Sequence, residues 1–329
     1  MGDASGEKNQ KTWNEFSITE ENQANFIKRF FLYQKERFPL VSHGALIASF
    51  SFSAISYSLI CRGENGFVDW RIYLVGVFTT VTLFLLLRIF DEFKDAKDDA
   101  KFRKSLPVPR GLISFKELTF IGITIIILQL LLNLIFFPKM LLLYIGVIGY
   151  LLLMGKEFFI ADWLKKHQFW YVTSHMFIIP LIDIYASGLD WLVAGVDAPK
   201  GLLFFLAVSY LNGVVIEIGR KIRIPEKEEM GVLTYTSMLG TTQAVILWLI
   251  ILFSTFCLSV AASFYAGYGN QGLIILGIVF LLCCIPALVF LITKTEKGSK
   301  TIELTSAIWT IIMYLSLGGI PMLQKLLLN

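Results

Sequence analysis

The chain has 329 residues, 56% of them hydrophobic and 16% charged, with a formal net charge of +4 and a mean hydropathy of +0.68. A soluble globular domain averages about 45–50% apolar and about 25% charged residues. A water-soluble fold is therefore excluded, and an all-α, polytopic membrane protein with the lipid bilayer as its partner is expected; no nucleic-acid partner is.

Residues 1–37 are polar and charged, without the basic start and short apolar core of a cleavable signal. We read 1–38 as a cytoplasmic N-terminal segment and 39–329 as the transmembrane domain. Within the segment, Phe26, Ile27, Phe30, Phe31 and Tyr33 alternate with Lys28, Arg29, Lys35 and Arg37. That pattern suits an amphipathic helix lying on the membrane surface, or equally a helical lead into the first span.

Nine apolar stretches follow, each near the roughly 20 residues a spanning helix requires: 39–61, 70–90, 115–136, 138–155, 168–187, 201–217, 238–262, 271–293 and 302–324. With the N-terminus inside, 23 of the 29 Lys and Arg fall in cytoplasmic segments and five on the opposite side. The positive-inside rule then puts the N-terminus and the charged connectors in the cytoplasm and the C-terminus outside. The cysteines at 61, 257, 283 and 284 have no CxxC spacing and read as small hydrophobes, not as metal ligands or disulfides.

The second stretch runs into Asp91-Glu92-Phe-Lys-Asp95-Ala-Lys-Asp98-Asp99-Ala-Lys101-Phe-Arg103-Lys104-Ser-Leu-Pro107-Val-Pro109-Arg110-Gly111. Asp91, Asp95 and Asp99 recur every four residues. If the helix continues, they share one face. Like charges at that spacing repel, and hard carboxylate oxygens are ligands for Mg2+. Bases, two prolines and a glycine then turn the chain.

A second charged connector follows the sixth stretch: Glu217-Ile-Gly-Arg220-Lys221-Ile-Arg223-Ile-Pro225-Glu226-Lys-Glu228-Glu229-Met-Gly231-Val232-Leu-Thr234. Two acidic clusters on one membrane face suit Mg2+, which takes one or two carboxylates and fills its octahedron with water and phosphate oxygens. Arg103, Lys104, Arg110, Arg220, Lys221 and Arg223 are candidates to grip diphosphate oxygens. An apolar bundle would take a hydrocarbon tail, and a diphosphate with such a tail is a prenyl diphosphate.

The stretch 91–114 resembles the first signature of the UbiA-type intramembrane prenyltransferases, Asn-Asp-x-x-Asp-x-x-x-Asp with a following Arg- and Pro-rich turn. Asp91-Glu92 stands here for Asn-Asp. The second connector resembles the family's second signature, with Glu217 at its first acid and Gly231-Val232-Leu-Thr234 closing it. It departs in having Ile-Gly-Arg-Lys where aspartates are common. The resemblance implies nine helices around a central cavity, Mg2+, and transfer of a prenyl group from its diphosphate to a lipophilic or aromatic acceptor. It makes Asp91, Glu92, Asp95 and Asp99 the catalytic metal-binding residues, with Glu217 as a further ligand.

His175 and Asp183 lie about two turns apart within the fifth stretch. Ionisable residues inside a span point to function, and these are candidates for positioning or deprotonating the acceptor, or else a buried pair satisfied by neighbouring helices. Gln129, Asn133, Asn212 and Gln243 read as interhelical hydrogen bonds. The alternatives to a prenyltransferase are a membrane terpene cyclase with the same site, a transporter, and a non-catalytic isoprenoid-binding protein. Charge concentrated on one face disfavours transport.

Overall fold

The computed structural model describes residues 24–64, 66–228 and 231–328. The part of the N-terminal segment at 1–23, and Glu229 of the second connector, lie outside them. Every regular element among the described residues is helical. In chain order they are α1 (Phe26–Arg37), α2 (Leu40–Cys61), α3 (Trp70–Lys94), α4 (Ala96–Phe102), α5 (Phe115–Phe136), α6 (Leu141–Gly155), α7 (Ala161–Lys166), α8 (Gln168–Met176), α9 (Ile178–Ala194), α10 (Leu202–Gly219), α11 (Tyr235–Leu239), α12 (Thr241–Tyr265), α13 (Gly269–Thr293), α14 (Glu296–Tyr314) and α15 (Ile320–Leu328).

Nine helical stretches among the described residues are long and apolar enough to cross a membrane. Each overlaps one expected from the sequence, and the chain is an integral membrane protein. The second runs to Lys94 rather than 90, and the fifth to Ala194 rather than 187. The ninth begins at Glu296 rather than 302. Hydropathy ends a span where charge begins, whereas a helix continues as long as its backbone bonds do. Outward residues such as Ile274, Leu281, Leu288 and Ile292 of α13 are exposed, as side chains facing lipid tails are.

Contacts divide the chain into two compact units, Met1–Gly44 with Thr82–Leu128, and Ala45–Val81 with Gln129–Asn329. The boundaries fall within α2, α3 and α5. In the first unit, α1 stops at Arg37 and Pro39 separates it from α2. It is a helix in its own right, with Phe26, Ile27 and Phe31 exposed and Tyr33 buried.

In the second unit, α12 packs on both α10 and α13, α14 on α10 and α13, and α9 on α6 and α10. Polar side chains tie these helices together, as expected where lipid supplies no hydrophobic drive. Tyr144 donates to Gln129 Oε1 at 3.0 Å, Tyr185 to Asn133 Oδ1 at 2.9 Å, and Trp309 to Asn212 Oδ1 at 3.1 Å. Gln243 departs from the expectation. It lies exposed in the first turn of α12, too near the helix end to reach a neighbour. A single π-turn, Leu315–Gly319, joins α14 to α15. There Gly318 lies against the backbone of Ser53, leaving no room for a side chain.

Candidate functional site

The first acidic motif lies in the first unit, where α3 gives way to α4. Asp95 sits between them at φ −89°, ψ 3°, a bend that separates the two helices. The amides of Asp95, Asp99 and Arg103 donate to the carbonyls of Asp91, Asp95 and Asp99, each at 2.9 Å. These three i to i−4 bonds link the four residues across the bend and keep the spacing of Asp91, Asp95 and Asp99 close to that of one helical face.

Their surroundings differ. The Asp91 carboxylate is partly exposed and lies 3.3 Å from Lys94 Nζ and 3.7 Å from Arg88 Nη1. Asp99 is buried and paired with Arg103. The half-buried Asp95 carboxylate takes no hydrogen bond or ion pair among the described residues. Burial holds the Asp95 carboxyl above the ordinary carboxylate range, with Lys94 opposing the shift and Asp91 adding to it. Burial likewise raises Asp99, with Arg103 opposing.

Glu92 points elsewhere and is 1% exposed. Its Oε1 accepts from Arg37 Nε at 2.6 Å and Arg88 Nη2 at 3.2 Å. Its buried Oε2 takes no hydrogen bond. Tyr33 is fully buried with an unbonded hydroxyl. Burial first, and then the neighbouring Glu92 charge, hold its phenol above its usual value. Neither Arg37 nor Tyr33 carried a signal in the sequence, because Arg37 is 55 residues from the carboxylate it meets.

The basic turn is clasped from the same direction. Arg110 makes a two-pronged ion pair with Glu36 at 2.8 and 2.6 Å and donates to the Ser105 carbonyl at 2.9 Å. Gly111 follows at φ +82°, a left-handed conformation that a side chain would strain. The Ser114 hydroxyl and amide both bind Glu117, which starts α5 and is gripped by Arg29. Lys104 is exposed, and Arg103 half-exposed beside Asp99.

The second connector belongs to the second unit. Glu217, buried at the end of α10, draws both following bases onto itself, with Arg220 Nε at 2.6 Å and Lys221 Nζ at 2.7 Å. The Arg223 amide donates to Thr236 Oγ1 at 3.1 Å. Glu228 accepts from the hydroxyls of Thr234 and Thr236 at 2.6–2.7 Å, and Thr234 caps α11. Glu217 and Glu228 of this connector are thus compensated locally, the first by cations and the second by hydroxyls.

His175 and Asp183 have separate environments. The His175 ring stacks on Tyr171 with centroids 4.1 Å apart, and its Nδ1 lies 2.8 Å from the Tyr171 carbonyl. Asp183 is fully buried, and neither carboxylate oxygen has a hydrogen-bond partner. Near His175, three successive residues without glycine, Glu157, Phe158 and Phe159, take φ of 49°, 52° and 61°. Nothing in the sequence marks that left-handed turn.

Among the described residues no three His, Cys, Asp or Glu side chains converge into a cage for a metal ion. Mg2+ does not need one, since it binds through one or two carboxylates and completes its shell with water and phosphate oxygens. Asp91 and the unpaired Asp95 fit that donor set; Glu92 and Asp99 are already ion-paired with arginine, though each keeps one buried oxygen without a hydrogen bond.

No curated protein matches the sequence. A solved structure described as giving structural and mechanistic insights into the biosynthesis of digeranylgeranylglyceryl phosphate synthase in membranes shares the fold at a TM-score of 0.54. It is 18% identical, over 86% of this chain and 99% of the other. The sequence matches the model of the UbiA prenyltransferase family over residues 50–318. The chain belongs to that family and is a membrane-embedded prenyltransferase.

Proposed function

We propose that the chain releases diphosphate from an isoprenoid diphosphate at residues 91–104, with Mg2+, and passes the prenyl group to a lipophilic or aromatic acceptor. The observation that carries this reading is the unpaired Asp95 carboxylate, held in line with Asp91 and Asp99 by three intact backbone bonds. A half-buried carboxylate with no direct hydrogen bond or ion pair is the arrangement a cation would complete.

In this reading Asp91 and Asp95 hold Mg2+, which supplies positive charge to the departing diphosphate oxygens. Arg103 and Lys104 reach the same oxygens from the end of α4, and Asp99 orients Arg103. Arg110 is committed to Glu36 and shapes the turn instead. Arg220, Lys221 and Arg223 of the second connector form an anion-binding group, with the first two held by Glu217. Asp183 is assigned to the acceptor. The concentration of bases in both connectors and the N-terminal segment supports a cytoplasmic side for them.

The test is release of diphosphate from a panel of allylic prenyl diphosphates by the purified chain, with Asp95→Asn alongside. Mg2+-dependent release by the wild type, reduced by at least 100-fold in the variant, supports the reading. Release by neither protein, with no Mg2+-dependent binding of any substrate, overturns it.

A further inference from the structure

The family match begins at residue 50, so α1 lies outside it, yet α1 reaches both the first acidic motif and the basic turn that follows it. Arg29, Tyr33 and Arg37 stand at i, i+4 and i+8 and so share one face. That face is turned inward. Arg29 donates to the Leu112 carbonyl at 3.0 Å and pairs with Glu117, Tyr33 is fully buried, and Arg37 meets Glu92. Glu36, beside them, clasps Arg110. One helix of 12 residues thus holds residue 92 ahead of the basic turn, 110 and 112 within it, and 117 after it.

We propose that α1 is a positioning strap for the acidic motif, with Arg37 the positioning residue that acts through Glu92. The proposal rests on the catalytic reading of that motif given above. The physical reason is the sharing of Arg88. Its guanidinium lies 3.2 Å from Glu92 and 3.7 Å from Asp91. Glu92 is buried and cannot stay uncompensated. With Arg37 in place, two guanidiniums serve Glu92, and Arg88 remains within reach of Asp91. Without Arg37, Glu92 draws Arg88 to itself, and the charge around Asp91 and Asp95 changes. Arg37 touches neither substrate nor metal in this account. It sets the conformation in which the metal-binding face is presented, as hydrogen-bonded partners behind metal ligands do.

The experiment uses the full chain in detergent or nanodiscs, with Arg37→Ala, Arg37→Lys and Glu36→Gln. Backbone hydrogen exchange is followed without Mg2+, and the Mg2+ half-saturation of diphosphate release is measured with geranylgeranyl diphosphate. Arg37→Ala is expected to raise exchange at 91–103 and to raise the Mg2+ half-saturation by about tenfold or more. Arg37→Lys recovers most of both. Glu36→Gln raises exchange at 103–111 alone. Lys35→Ala, on the exposed side of α1, changes neither.

Wild-type exchange and half-saturation in Arg37→Ala overturn the strap. If Arg37→Ala does not fold, unchanged exchange at 103–111 in Glu36→Gln overturns it, and increased exchange there supports it. If the wild type releases no diphosphate from any prenyl diphosphate and shows no Mg2+-dependent binding, the catalytic reading falls and the exchange measurements alone decide the strap.

Discussion

The amide of Asp99 donates to the carbonyl of Asp95 at 2.9 Å across the junction of α3 and α4. That bond, with its neighbours on either side, is why two helical segments present their carboxylates as one would. It also leaves Asp95 half-buried with no direct hydrogen bond or ion pair among the described residues. Functional groups held in this way cost stability.

Asp95→Asn is therefore expected to separate stability from activity. The folded-state carboxyl lies above its ordinary range because of burial, against the pull of Lys94. A raised acid favours its protonated form, so its contribution to stability is fullest below the ordinary carboxylate range and declines as pH rises through the raised value. The amide removes that decline. At neutral pH the variant should be more stable by about 0.5–1 kcal/mol, with the difference closing near pH 4. Wild-type activity should instead fall as pH drops through the same region. Thermal unfolding of both proteins across pH checks the first, and a pH–rate profile the second.

Glu217→Gln tests whether the second connector binds metal or anion. Glu217 is buried and holds Arg220 and Lys221, and breaking such a group costs stability. Lys221 and Arg220 remain 20% and 51% exposed and can turn to water, so a loss of about 1–3 kcal/mol is expected. Release of the two cations should tighten inhibition by inorganic pyrophosphate, while the Mg2+ half-saturation stays within about twofold of wild type. A tenfold rise in half-saturation would make Glu217 a metal ligand.

What was legible in the sequence was what local spacing carries. Asp91, Asp95 and Asp99 announce a shared face because the period of four survives the junction, and the nine apolar runs are as long as a bilayer is thick. What was not legible depends on partners far along the chain. Arg37 reads as one more base in a charged leader until it meets Glu92, and nothing near Arg110 announces its pairing with Glu36, 74 residues away. Glu217 matched the family's acid by position alone. The two bases that follow it, visible all along, are the ones that neutralise it.

Phe159→Asn addresses the left-handed turn after α6. Phe159 has φ +61° and is 78% exposed, so its ring contributes little packing. A β-carbon in that conformation costs about 1–2 kcal/mol, which asparagine reduces through local hydrogen bonding. The variant should gain about 0.5–1 kcal/mol in thermal or denaturant unfolding. A loss of stability would mean the exposed ring meets lipid rather than water.

Asp183 is the last candidate whose role a substitution can separate. It is fully buried in α9 with both carboxylate oxygens unbonded. A buried polar group without hydrogen bonds replaced by an apolar one of similar size is often neutral or stabilising, so Asp183→Leu should fold and unfold no earlier than the wild type. If Asp183 serves the acceptor, diphosphate release in the absence of acceptor should be within about twofold of wild type. Formation of prenylated product in membrane extract should fall by about 100-fold or more, the usual scale for a lost general base. Equal losses in release and product formation would place Asp183 with the leaving group instead. A large drop in unfolding temperature, with both activities intact, would make it a purely structural carboxyl.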